Sequence, residues 1–181
     1  MLASFFSLSI LLVGLQPLEA VRERFKNKSS FEVNFTQEVE QEMFDVQQAR
    51  ASGILKFKKP HFLRWIYQEP KAERKEIIFD GKLIKIKRES EEEIVQEPGD
   101  FSLEDSFSFL WGESKKSLFK IENLSTTDFI LKPQNQDQAQ FQSIRVKVQK
   151  GLVQEALIED LLGGKNKISF QNWRFESNSK N

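Results

Sequence analysis

Residues 53 to 70 read GILKFKKPHFLRWIYQEP, and the fold turns on how this stretch is read. Two strand-like runs, Gly53 to Phe57 and Phe62 to Tyr67, flank Lys58-Lys59-Pro60-His61, the composition of a tight connection. A hairpin is the natural reading. Its apolar residues, however, occupy both parities: Phe62, Leu63, Trp65, Ile66 and Tyr67 cannot all point to one side of a strand of period two. A sheet with one wetted face has no use for that pattern. One side of the stretch is therefore expected to meet a packing helix, and the other a movable lid or a bound apolar molecule.

Working outward, alternation dominates the chain. In FEVNFTQEVE, Phe31, Val33 and Phe35 share one face, and Glu32, Asn34 and Thr36 the other. Further strands are predicted at Ala49 to Phe57, His61 to Tyr67, Arg74 to Phe79, Lys82 to Arg88 and Glu92 to Gln96. After residue 111 follow Ser117 to Ile121, Thr127 to Lys132, Gln140 to Gln149, Leu152 to Ile158 and Lys167 to Phe175. Asp80-Gly81, Lys150-Gly151 and Gly163-Gly164 supply the turns. Short connections between successive strands predict an antiparallel meander of about eleven strands.

Two segments break this rhythm. Leu15 to Lys28 places Leu18, Val21, Arg22 and Phe25 at spacings of three and four, with Ser29-Ser30 as a stop, and reads as a helix. Between Pro98-Gly99 and Gly112, Leu103, Phe107, Leu110 and Trp111 recur at helical spacing, with Phe101 and Phe109 adding apolar surface. This second helix is the candidate lid.

Composition narrows the function. The chain has 181 residues, 27 Lys plus Arg against 27 Asp plus Glu, and therefore no net field to attract nucleic acid. With 17 Phe against 3 Trp and 1 Tyr, its aromatic surface is almost devoid of polar handles, which suits a core or an apolar cavity. The absence of cysteine excludes disulfides, thiolate metal sites and a thiol nucleophile. The single histidine, His61, sits beside Pro60 in a turn and no Gly-X-Ser-X-Gly elbow exists, so no enzyme, metal or cofactor is expected. Glu91-Glu92-Glu93 reads as a solvated strand edge. The uncharged run Leu2 to Leu15 is too short to span a bilayer and matches the apolar region of a signal peptide, with an exit at Leu18-Glu19-Ala20. The chain is thus divided into a leader, 1–20, and a single domain, 21–181.

The order Phe31-X3-Phe35-Thr36-Gln37, Gly53-X-Leu55-X-Phe57-X-Lys59-Pro60-X2-Leu63-Arg64-Trp65-X-Tyr67 and Ile78-X-Asp80-Gly81-Lys82 resembles the LolA family of periplasmic lipoprotein carriers. Phe129-X-Leu131-X-Pro133 and Asp160-X3-Gly164-Lys165-Asn166-X-Ile168-X-Phe170 fit later blocks of that pattern. The resemblance implies an incomplete, half-open antiparallel β-barrel of eleven strands with a helical lid over an apolar cavity. It also implies a cargo of acylated lipoproteins, taken from an inner-membrane ABC transporter to an outer-membrane acceptor by a monomeric carrier. A lipid-sensing regulator, or a carrier of another amphiphile, would use the same half-barrel.

One parity of several strands is expected to line the cavity: Val33, Phe35, Leu55, Phe57, Leu63, Trp65, Phe79, Ile86, Phe129, Leu131, Ile144 and Val146. The lid is expected to present Phe101, Leu103, Phe107, Leu110 and Trp111. Lys59 stands where the family commonly has an arginine that latches the lid, and an ammonium offers no planar fork for such a contact. The chain also ends at Asn181, without the Phe-rich tail many members carry.

Overall fold

A computed structural model describes residues 16–40, 49–89, 91–97, 119–135 and 141–177. Among these residues there is one α-helix, α1 (Pro17–Phe25), and eleven strands. The first six are β1 (Lys28–Glu40), β2 (Ala49–Lys58), β3 (Phe62–Glu69), β4 (Lys75–Phe79), β5 (Ile84–Arg88) and β6 (Ile94–Gln96). The remaining five are β7 (Phe119–Asn123), β8 (Asp128–Pro133), β9 (Phe141–Gln149), β10 (Leu152–Asp160) and β11 (Lys165–Ser177). All join one antiparallel sheet that is not closed into a barrel, the open half-barrel expected from the sequence.

The strand order is β6-β5-β4-β3-β2-β1-β11-β10-β9-β8-β7. It is not one continuous meander, as the short connections implied. Two meanders, β1 to β6 and β7 to β11, are joined by pairing of the first strand with the last. Both are 13 residues long, and they run side by side from the pair Lys28 and Ser177 to the pair Glu40 and Lys165. Local turn signals cannot reveal such a pairing, because its partners lie far apart in the chain.

The turns follow their residues. At the β4–β5 connection, Asp80 Oδ1 accepts hydrogen bonds from the backbone N–H groups of Lys82 (3.0 Å) and Leu83 (2.9 Å), and Gly81 has a φ of 95°. Lys150 and Gly151 both have positive φ, 53° and 72°, which gives the primed twist a two-residue hairpin requires. At the β10–β11 connection, Asp160 Oδ1 accepts from Leu162 N (2.8 Å) and Gly164 N (2.9 Å).

Register puts the apolar residues on one face. Phe31, Val33 and Phe35 of β1 lie opposite Phe57, Leu55 and Gly53 of β2, which in turn face Leu63, Trp65 and Tyr67 of β3. Helix α1 packs on this same face. Leu18, Val21 and Phe25 are buried in the sheet's core cluster, and the Phe25 ring meets Phe31, Trp173 and Phe175 edge-on at 5.5, 5.4 and 5.2 Å. The helix is shorter than predicted, and Ser29 and Ser30 begin β1 rather than stop the helix.

The packing helix was expected on the side opposite the cavity; α1 lies instead on the cavity face, and among the described residues no helix covers the second face of residues 53–70. That face carries Ile54 opposite Ile66, and Ile66 opposite Glu76, all half-buried among charged neighbours. Arg64 of β3 pairs with Glu76 of β4, and Lys56 of β2 reaches Glu32 of β1 at 2.6 Å. The isoleucines thus alternate on this face with long, partly exposed charged side chains rather than meeting a second apolar layer.

Candidate functional site

The predicted cavity residues do share one face, in two groups. In one, Val33, Leu55, Trp65, Ile77 and Ile86 form a continuous cross-strand row over β1 to β5. Phe57, Leu63, Phe79 and Ile84 form the adjacent row. In the other, Phe129 lies opposite Val146, and Leu131 opposite Ile144. Phe35 bridges them, facing Gly53 on β2 and Phe170 on β11. Alternation along each strand and pairing across strands together place these side chains on one surface.

They do not have equal access to a ligand. Val33, Phe35, Leu55, Phe57, Leu63, Phe79, Phe129, Leu131 and Val146 are buried core residues. Trp65, Ile86 and Ile144 are only half-buried. Three of the predicted twelve therefore offer apolar surface, and nine are buried beside them on the same face. Residues the sequence reading left out, Tyr67, Ile77, Ile84, Ile121, Phe141 and Ile158, are also half-buried; the strand pairing puts each of them on this face. For all but Phe141, parity was the available signal: Tyr67 stands two residues beyond Trp65, and Ile77 two before Phe79. Phe141 is out of step with Ile144 and Val146, and shares their face only through the irregularity in the β9–β10 register beside it.

The aromatic side chains form a continuous cluster. Phe35 meets Trp65 at 5.3 Å and Tyr67 at 5.2 Å, both edge-on, while Trp65 and Tyr67 stack with centroids 6.2 Å apart. Burial pushes the Tyr67 phenol up to about 12, so it remains a neutral hydrogen-bond donor at physiological pH. Lys75 Nζ lies 4.6 Å from the centre of the Tyr67 ring. Gly53 makes the packing possible: a Cβ there would fall 1.8 Å from Ile66 O and 3.0 Å from the Phe35 ring.

The opposite face has different chemistry. Glu32 is held below the ordinary carboxylate value by hydrogen bonding from Lys56, with the Lys56 and Arg174 charges adding to the effect against desolvation. Glu38 is held down by Lys167 at 2.5 Å, with Arg50 at 3.4 Å also close. A groove of about 420 Å³ lies where β1, β2 and β11 meet the β2–β3 turn, lined by Ser30, Glu32, Lys56, Lys58, Arg174 and Glu176 together with the rings of Phe31, Phe57, Phe62 and Phe175.

The predicted lid residues Phe101, Leu103, Phe107, Leu110 and Trp111 lie outside the described residues. Their segment joins the two edge strands, β6 and β7. Lys59 sits in the β2–β3 turn, where its backbone N–H donates to Ser29 O at 2.9 Å. His61 is exposed in that turn and packs beside Gly81. No helix among the described residues is long and apolar enough to cross a membrane.

Several solved structures are similar in overall fold. A LolA superfamily protein from Nitrosomonas europaea, NE2245, is 12% identical with a TM-score of 0.49, over 89% of this chain and 92% of that one. The lipoprotein LppX of Mycobacterium tuberculosis is 12% identical with a TM-score of 0.43, over 91% and 97%. A DUF1329 family protein of Desulfovibrio piger is 10% identical with a TM-score of 0.46, over 91% and 93%. A search of curated protein sequences finds no match. The family model described as "Outer membrane lipoprotein carrier protein LolA" matches residues 26–180, nearly all of the chain after α1, and the protein belongs to the LolA family.

Proposed function

We propose that this protein is a periplasmic carrier that shields the acyl chains of lipoproteins on the apolar face of its sheet. It would take them from an inner-membrane ABC transporter and deliver them to an outer-membrane acceptor. The observation that carries this reading is the half-buried apolar surface of Trp65, Ile77, Ile86 and Ile144, on the same face as the fully buried aromatic and aliphatic residues of the core. An ordinary core would bury these residues as completely as their neighbours in the row. Membership of the family supports the cargo and the compartment.

The energetics favour a carrier with weak preferences. Each methylene gains about 0.8 kcal/mol on leaving water, so a chain of roughly fifteen gains on the order of 12 kcal/mol. A bilayer already supplies that gain. Transfer between membrane and protein is then near balance, and cargo can be released. Lid closure by Phe101, Leu103, Phe107, Leu110 and Trp111, with Lys59 as a latch, would tune the balance within this proposal. Cleavage of the leader at its expected exit, Leu18-Glu19-Ala20, would remove Pro17 and Leu18, both buried, from the exported chain.

The face itself provides the test. Trp65 and Ile66 are neighbours on β3 pointing to opposite sides. Trp65→Asp or Ile144→Asp is expected to lower retention of a diacylated lipopeptide at least tenfold, measured by pull-down from detergent-free solution. Ile66→Asp is expected to retain it. Equal retention by all three variants would exclude the apolar face as the binding surface.

A further inference from the structure

Across β3, β4 and β5 the apolar face changes character one row at a time. Leu63, Phe79 and Ile84 form one row, followed by Trp65, Ile77 and Ile86. The next row consists of Tyr67, Lys75 and Arg88. Two steps along each strand thus lead from hydrocarbon to a phenol and two cations on the same surface. Arg64 and Glu76, which pair with each other across β3 and β4, belong to the opposite face.

Lys75 differs from most lysines and arginines of the strands. Lys56, Arg64, Lys87, Lys147, Lys167 and Arg174 each form an ion pair with a carboxylate. Lys75 forms none with any described carboxylate, Glu69, Glu73 and Glu89 included; its contact is the face of the Tyr67 ring. Arg88 is exposed and pairs with Glu91 at 2.6 Å. The ring holds the ammonium beside the apolar surface without neutralising it. A half-buried cation with no counter-ion, next to a protonated phenol and bordering an apolar row, is complementary to a negative charge attached to a hydrocarbon.

We propose that the row Tyr67, Lys75 and Arg88 binds the anionic headgroup of an amphiphile whose hydrocarbon lies along the rows of Trp65 and Leu63. This rests on the carrier reading and adds to it a charge preference at the polar end of the cargo. Lys75 supplies the charge, Tyr67 donates a hydrogen bond, and Arg88 contributes once its link to Glu91 loosens. A phosphate headgroup and a carboxylate satisfy the site by the same chemistry.

The test compares short-chain phosphatidylglycerol, oleate and short-chain phosphatidylcholine as monomeric ligands of the full chain, with inorganic phosphate as competitor. The anionic pair is expected to bind about fivefold more tightly than phosphatidylcholine, the scale of one partly exposed ion pair. Lys75→Gln should remove that preference without changing phosphatidylcholine affinity, and Lys75→Glu should reverse it. Preference for only one of the two anions, if lost in Lys75→Gln, would assign the site to that headgroup. Displacement of bound lipid by inorganic phosphate would overturn the amphiphile assignment in favour of a free-anion site. Binding without charge preference, unchanged in Lys75→Gln, would overturn the headgroup site and leave the carrier intact. Failure of all three lipids to bind would overturn both.

Discussion

A single glycine shows how closely the layers of this protein approach. Gly151, in the β9–β10 turn, has a φ of 72°, and a Cβ there would lie 2.7 Å from Ala20 O of α1. A side chain would therefore meet both a disfavoured backbone conformation and the helix. Gly151→Ala is expected to lower unfolding stability by about 1–3 kcal/mol, as a reduced urea midpoint with an unchanged slope. Lys150→Gly, next to it and also at positive φ, should stay within about 0.5 kcal/mol of the parent. The turn itself was legible, because Lys-Gly between two alternating runs announces it. The helix lying against it was not, because Gly151 and Ala20 are far apart in the chain and nothing local marks their contact.

Between strands, the outer face is held by charge ladders. Glu32 lies between Lys56 and Arg174, and Glu38 between Arg50 and Lys167, so both of these β1 carboxylates link β2 with β11. Both carboxyls titrate below their ordinary value of 4.5, with hydrogen bonding from Lys56 and Lys167 as the respective first causes. A depressed folded pKa adds stability that is complete above the unfolded value and is lost as pH falls through the folded one. Thermal stability is accordingly expected to be level above about pH 5 and to decline from about pH 4.5 downward. Glu32→Gln should flatten the decline in melting scans, and added salt should do so partially because these pairs are open to solvent. Strand existence and parity were readable from sequence because alternation is local. Which surface α1 would cover was not, since Leu18, Val21 and Phe25 define a face of the helix and say nothing about which side of the sheet receives it. Phe62 and Ile66 resembled a second buried face, yet Phe62 is exposed and Ile66 half-buried beside the Arg64–Glu76 pair.

For the molecule as a whole, the half-barrel and most of its floor were visible in the sequence, and the division of that floor into buried and accessible parts was not. Trp65 and Leu55 face each other and follow the same period, yet only Leu55 is fully buried, because burial depends on what stands over each position along a row. The seam between β1 and β11 also shapes how the chain reaches its final form. Lys28 Nζ contacts the Ser177 hydroxyl across 149 positions of sequence, so the centre of the sheet waits for residues from both ends of the domain. Each meander alone has an unpaired inner edge and half a floor, a poor basis for independent stability. Chains ending before Lys165 are expected to stay open to protease, while the full chain resists under the same digestion. A polypeptide that closes from its middle only when its last strand arrives remains threadable throughout synthesis, the condition a translocation channel imposes on anything passing through it.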